Sequence, residues 1–167
     1  LARRFRVQKS RLKQEVSGQI NSALVISINA QLSLQQADKP VYPSLMEKVM
    51  TLAIDCGGLS IKGSVLDSAG TLHAQPVNVP TPYPLSPARL IEVFQEIASQ
   101  LPKFDRITVG IPGMIRHGVV IHTPHYINIK GPHTRPEPDL IQQWKGLDFQ
   151  NLVSETFGSP ALVLNDA

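Results

Sequence analysis

The chain has 167 residues, 42% of them apolar, which is enough to bury one substantial core and is near the usual size of a single domain. Its longest apolar stretches are cut by Ser, Asn, Asp or Gly within a few positions, which argues against a membrane-spanning helix, and its single cysteine, Cys56, excludes an intramolecular disulfide framework and favours a reducing, cytoplasmic setting. The net charge of +3 belongs to the tail: residues 1–45 carry seven Lys or Arg against two acids and residues 46–167 carry nine against eleven, so the body is not built to grip a polyanion and a nucleic-acid partner is not expected.

The first 13 residues hold six Lys or Arg, from Arg3 to Lys13, with no acid before Glu15, a pattern that suits a solvated arm, a transit peptide or a nucleic-acid contact. Ile26, Ile28, Ala30, Leu32 and Leu34 then alternate with polar residues at the period of a strand. Two prolines in the stretch from Lys39 to Ser44 read as a linker. Residues 1–45 are therefore expected to be a basic, poorly ordered extension, with a domain beginning at residue 46.

From there the pattern predicts a strand over Val49–Cys56, a second over Ile61–Asp67 and a third over Thr71–Val79, forming a meander joined by Gly57-Gly58 and by Ser68-Ala69-Gly70. Four prolines between residues 80 and 87 precede a helix that begins near Ser86, with apolar Leu90, Ile91, Phe94, Ile97, Ala98 and Leu101 on one face. Strands follow at Arg106–Gly110 and Val119–Ile121, then a Pro-, His- and Gly-rich loop from His122 to Pro138. A helix over Leu147–Phe157 stops at Gly158, and the strand Ala161–Leu164 runs into Asn165-Asp166. The order of elements describes an α/β domain with a mixed sheet, and it does not alternate as a doubly wound dinucleotide fold would.

Three segments carry candidate chemistry. The first is Asp55 to Gly63, where paired glycines at a strand end can turn the backbone so that successive N–H groups face one anion, and the carboxylate ahead of them can hold Mg²⁺ through water. The same residues also suit a plain hairpin turn, and they match neither a Walker loop nor a dinucleotide fingerprint. The second is Asn165-Asp166, a turn dipeptide or, at a strand's carboxyl end, an amide beside a base able to take a hydroxyl proton. The third, Gly110-Ile111-Pro112-Gly113, is by itself a rigid turn. His122, His125 and His133 share one loop, but no cysteine or acid stands in ligand register with them, so no metal centre is expected there.

These three segments, in this order, resemble the ROK family of sugar kinases in the actin and hexokinase superfamily. That family opens with Asp-x-Gly-Gly-Thr-x-Ile-Lys, matched here by Asp55, Gly57, Gly58, Ile61 and Lys62, and continues with Gly-x-Pro-Gly, matched by Gly110 to Gly113, and Asn-Asp-Ala, matched by Asn165 to Ala167. The resemblance covers about residues 49–167, and the text around Thr123 to Tyr126 and Trp144 to Leu147 is closest to polyphosphate glucokinases.

The resemblance implies an actin-like (ribonuclease H-like) ATPase domain with a mixed five-stranded sheet, of which residues 46–167 form the N-terminal lobe. It implies a glucokinase transferring phosphoryl from polyphosphate or ATP, with Mg²⁺, to the 6-hydroxyl of glucose or a related hexose, and a homodimer in the complete protein. Asp166 would be the catalytic base. Asn165, Gly113 and His125 would bind sugar, and Asp55, Gly57, Gly58, Leu59, Ser60 and Lys62 would form the first phosphate loop. Leu59 replaces the family's Thr, and Pro124-His125 replaces its Pro-Asn. The family's second phosphate loop, adenosine-binding glycines and zinc motif would follow Ala167, so this chain is expected to be a truncated fragment, inactive alone. A sugar-responsive regulator of the same family, or a catalytically silent sugar-binding remnant, is the alternative.

Overall fold

A computed structural model of the chain describes residues 49–166. The extension predicted over residues 1–45, including the alternating stretch Ile26–Leu34, lies outside the described residues. Seven strands and three helices follow in the order β1 (Thr51–Cys56), β2 (Ser60–Leu66), β3 (Val77–Pro80), α1 (Pro87–Ser99), β4 (Arg106–Ile111), β5 (Met114–Arg116), β6 (Val119–His122), α2 (Pro138–Trp144), α3 (Phe149–Phe157) and β7 (Ala161–Asn165). The main sheet has five strands in the order β3-β2-β1-β4-β7, and β5 and β6 form a separate hairpin. The sheet is mixed: β2 runs antiparallel to β1 and β3, whereas β1, β4 and β7 are parallel to one another.

Side-chain alternation divides the sheet. Leu52, Ile54 and Cys56 of β1, Ile61 and Val65 of β2, Ile107, Val109 and Ile111 of β4 and Val163 of β7 share one buried cluster with Leu90, Ile91, Val93, Phe94 and Ile97 of α1. Each of those large apolar side chains contributes about 1.5–3 kcal/mol by leaving water. The intervening residues Thr51, Ala53, Ser64, Leu66 and Thr108 are buried on the other side and are mostly small. Helix α1 starts where the sequence predicts: the Ser86 side chain accepts from the Arg89 amide at 3.1 Å, and Pro87 fills the first helical position. Aromatic packing completes the core, with Trp144 against Phe149 at 5.4 Å and against Tyr126 at 5.6 Å between ring centroids. The Trp144 indole N–H donates to the Leu85 carbonyl at 2.9 Å, pinning α2 to the segment ahead of α1. Among the described residues no helix is long and apolar enough to cross a membrane.

The structure differs from the sequence pattern in five places. The third strand covers Val77–Pro80 and not Thr71–Val79, because Asp67 draws residues 67–73 into a turn: its carboxylate accepts from the amides of Ala69 and Thr71, each at 3.0 Å, and lies 3.0 Å from His73 Nε2. Helix α1 ends at Ser99, so Leu101 packs against the core from beyond it. The final helix begins at Phe149, since Asp148 caps it by accepting from the Asn151 amide at 2.9 Å. Lastly, β5 and the short helix α2 stand where a turn and a loop end are expected; α2 buries Leu140 and Trp144 one helical turn apart.

Candidate functional site

The three parallel strands end together. Register places Asp55 of β1 beside Gly110 of β4, Gly110 beside Leu164 of β7, and Ile111 beside Asn165. Asp55 and Asp166 thus stand on one rim of the sheet with a single strand between them, a lateral separation of about 10 Å from two inter-strand spacings. The Asp166 amide donates to the Ile111 carbonyl at 3.3 Å, which carries the β4 pairing one residue past the strand.

The Asp166 side chain is exposed, yet its carboxyl is raised above the ordinary range, first by the protein packed beneath the strand end and then by the negative charge of Asp55. His125 acts in the opposite direction and lowers it. Asp55 and His125 are therefore both within electrostatic reach of Asp166. Asn165 donates its side-chain amide to the Gly113 carbonyl, so two residues expected to meet sugar are in direct contact.

The glycine loop closes tightly, with the Gly57 amide donating to the Ser60 carbonyl at 2.9 Å. Lys62 is the cross-strand partner of Asp55, which puts a cation and a carboxylate on the same face at the loop's base. Leu59 occupies the apex and is 85% exposed, so this position presents an apolar side chain where the sequence comparison leads one to expect a hydroxyl. Behind the loop, burial raises the Cys56 thiol well above its usual range and Asp55 adds to the effect, so Cys56 remains protonated. The buried Tyr126 hydroxyl lies against that thiol and is likewise raised by burial.

The loop carrying His125 comes to the glycine loop. A Cβ at Gly58 would lie 2.7 Å from Pro132 Cγ and 3.6 Å from His125 Nδ1, so only glycine lets the two loops touch this closely. His125 Nδ1 is buried without a hydrogen-bond partner among the described residues. Gly113 has φ +141, and a Cβ there would meet the His122 carbonyl at 2.2 Å. Three residues to which the sequence assigns no role hold the loops here. Thr81 and Tyr83 bond the glycine loop, and Thr123, buried, donates to the Pro112 carbonyl at 2.8 Å. His122 lines a cavity of about 230 Å³ with Thr123, Trp144 and Lys145.

The mixed five-stranded sheet, with its likeness to solved structures, makes this an actin-like (ribonuclease H-like) lobe. Solved structures place it more narrowly: the chain resembles the N-terminal part of the ROK-family sugar kinases. It is similar to an inorganic polyphosphate/ATP-glucomannokinase from Arthrobacter sp. strain KM, with 27% identity and a TM-score of 0.53 over 71% of this chain and 45% of that one. A ROK family glucokinase from Streptomyces griseus, solved with glucose and AMPPNP, gives 21% identity and a TM-score of 0.53 over 71% of this chain and 33% of that one. A ROK family transcriptional regulator, a homolog of the E. coli MLC protein, gives 20% identity and a TM-score of 0.53 over 81% and 33%. The chain thus spans less than half the length of these solved chains. No protein-family model and no curated protein sequence matches it.

Proposed function

We propose that this chain supplies the sugar-activating lobe of a kinase that transfers a phosphoryl group from polyphosphate or ATP to the 6-hydroxyl of glucose or a related hexose. The observation that carries the proposal is the pair of rim carboxylates, Asp55 and Asp166, on parallel strands either side of β4, with a glycine loop next to one and the Asn165–Gly113 contact next to the other.

In this reading Asp166 accepts the proton of the sugar hydroxyl as that oxygen bonds to phosphorus, and its raised basicity suits it to the task. Asn165, Gly113 and His125 hold the sugar so that the hydroxyl is in line, and positioning of this kind accounts for most of the catalysis in phosphoryl transfer. The loop from Gly57 to Ser60 takes the donor's phosphates, with Lys62 beside it. Among the described residues no group of three or more His, Cys, Asp or Glu could hold a metal ion. A Mg²⁺ would fit here only as Mg²⁺ is commonly held beside phosphates, by one carboxylate, Asp55, completed by water and phosphate oxygens, and it would offset phosphate charge. The regulator alternative makes less use of a base paired with a phosphate loop.

The test joins the chain to the second lobe that solved ROK kinases carry and follows glucose phosphorylation, with polyphosphate or ATP as donor, by ³¹P NMR. Turnover that falls about 10²- to 10⁴-fold in Asp166→Asn is the expected result. Equal turnover in the variant would remove Asp166 from the base role, and no turnover with either donor would remove the kinase reading.

A further inference from the structure

Three consecutive carbonyls of the glycine loop are held from one side. Thr81 Oγ1 donates to the Gly57 carbonyl at 2.9 Å, the Tyr83 hydroxyl to the Gly58 carbonyl at 3.0 Å, and the Thr81 amide to the Leu59 carbonyl at 3.0 Å. In a planar trans peptide the C=O of one residue and the N–H of the next point in opposite directions. Fixing these three carbonyls therefore fixes the amides of Gly58, Leu59 and Ser60, and turns them away from the segment that holds the carbonyls. The amides of Gly58 and Leu59 donate to nothing among the described residues. A row of aligned, unused N–H groups is what an anion-binding nest requires, and here the alignment is imposed from outside the loop.

The same segment also touches the sugar-side loop. A Cβ at Gly131 would lie 3.1 Å from Tyr83 Cε2, so the tyrosine ring packs on residue 131 while its hydroxyl bonds residue 58, and Pro132 then closes on Gly58. One side chain spans both loops.

We propose that Thr81 and Tyr83 are positioning residues for the phosphoryl donor: the connection between β3 and α1 grips the glycine loop by its carbonyls, presents its amides to phosphate and, through the Tyr83 ring, fixes that loop against the loop carrying His125. The inference rests on the reading of residues 57–60 as a phosphate site. Burial pushes the Tyr83 hydroxyl up to about 12, so it remains a donor throughout the neutral range.

The experiment is calorimetric titration of the full 167-residue chain with tripolyphosphate and Mg²⁺, together with ¹⁵N relaxation of the ligand-free loop. Tyr83→Phe keeps the ring on Gly131 and removes only the donor, Thr81→Val removes the other hydroxyl, and Thr81→Ser restores it. Each deletion should weaken tripolyphosphate about three- to tenfold, the equivalent of one hydrogen bond, and should raise fast backbone mobility at Gly58 and Leu59; Thr81→Ser should behave as wild type. A merely structural role would lower the melting temperature and leave these readouts unchanged in the folded protein. If Thr81→Val does not fold, Tyr83→Phe carries the comparison. Wild-type binding matched by both deletions would overturn the inference and leave the phosphate site standing. Absence of tripolyphosphate binding by the wild-type chain would overturn the phosphate site and the inference with it.

Discussion

Thr123 and Pro112 are joined by a buried hydrogen bond of 2.8 Å between side chain and carbonyl, across 11 residues of sequence. The bond fastens the Gly-x-Pro-Gly turn to the first residue of the loop that carries His125. Thr123→Val preserves shape and leaves the carbonyl unsatisfied in the interior. It is expected to cost about 1–3 kcal/mol in chemical denaturation, whereas Thr123→Ser should cost less than half as much.

Gly113→Ala should be the more damaging change. Its φ of +141 is one that side chains rarely adopt, and the added carbon would meet backbone on two sides, the His122 carbonyl at 2.2 Å and Thr123 Cα at 2.9 Å. Neither neighbour can swing aside as a side chain would. A loss of at least ~3 kcal/mol is expected, together with loss of the Asn165 contact, read from the Asn165 side-chain amide resonances.

Much of the architecture is legible in the sequence because it rests on local signals. The apolar run from Val49 to Cys56 ending at Gly57-Gly58, the Ser86-Pro87 start of α1 and the Gly158 stop of α3 each operate within a few residues, and each predicts an element that the structure contains. The sheet order does not follow from these signals, and neither does the pairing of the two rim carboxylates, which depends on the β1-β4-β7 register between strands as much as 110 residues apart. Thr81 and Tyr83 are missed for a related reason. Between Pro80 and Pro84 the sequence shows only that regular structure is interrupted, and the interruption conceals donors aimed at carbonyls 24 and 25 residues away. The Asp67 turn is missed because Ser68-Ala69-Gly70 looks like an ordinary hairpin connection, although the aspartate accepts two amides and displaces the following strand.

Asp67 should make the fold acid-sensitive. Its carboxyl is lowered to about 2 from 3.8, chiefly by the hydrogen bond with His73 and then by the Thr71 amide. A carboxyl lowered in the folded state contributes stability that is fully present above pH 3.8 and is lost as pH falls towards 2. Asp67→Asn should therefore be less stable than wild type near neutrality, with the gap closing across that window when denaturation midpoints are measured against pH.

Asp166 carries the opposite sign. A carboxyl raised on folding disfavours the folded state once it is ionised, so the penalty is present above the folded-state pKa and absent below 3.8, where both states are protonated. Asp166→Asn is expected to melt slightly higher than wild type at pH 7 and equally in acid, while removing the proposed base. A variant that melts lower at pH 7 would show that the carboxylate stabilises the strand end.

The chain contains one tryptophan, and it is 1% exposed, packed between the tilted rings of Tyr126 and Phe149 with its indole N–H on a backbone carbonyl. That arrangement makes Trp144 a built-in optical reporter. Its emission should lie to the blue of free indole and shift red on unfolding, in a single step if the lobe is cooperative. Because its ring contacts Tyr126, the residue directly after His125, a ligand that reorders the His125 loop should change the fluorescence without any dye or label.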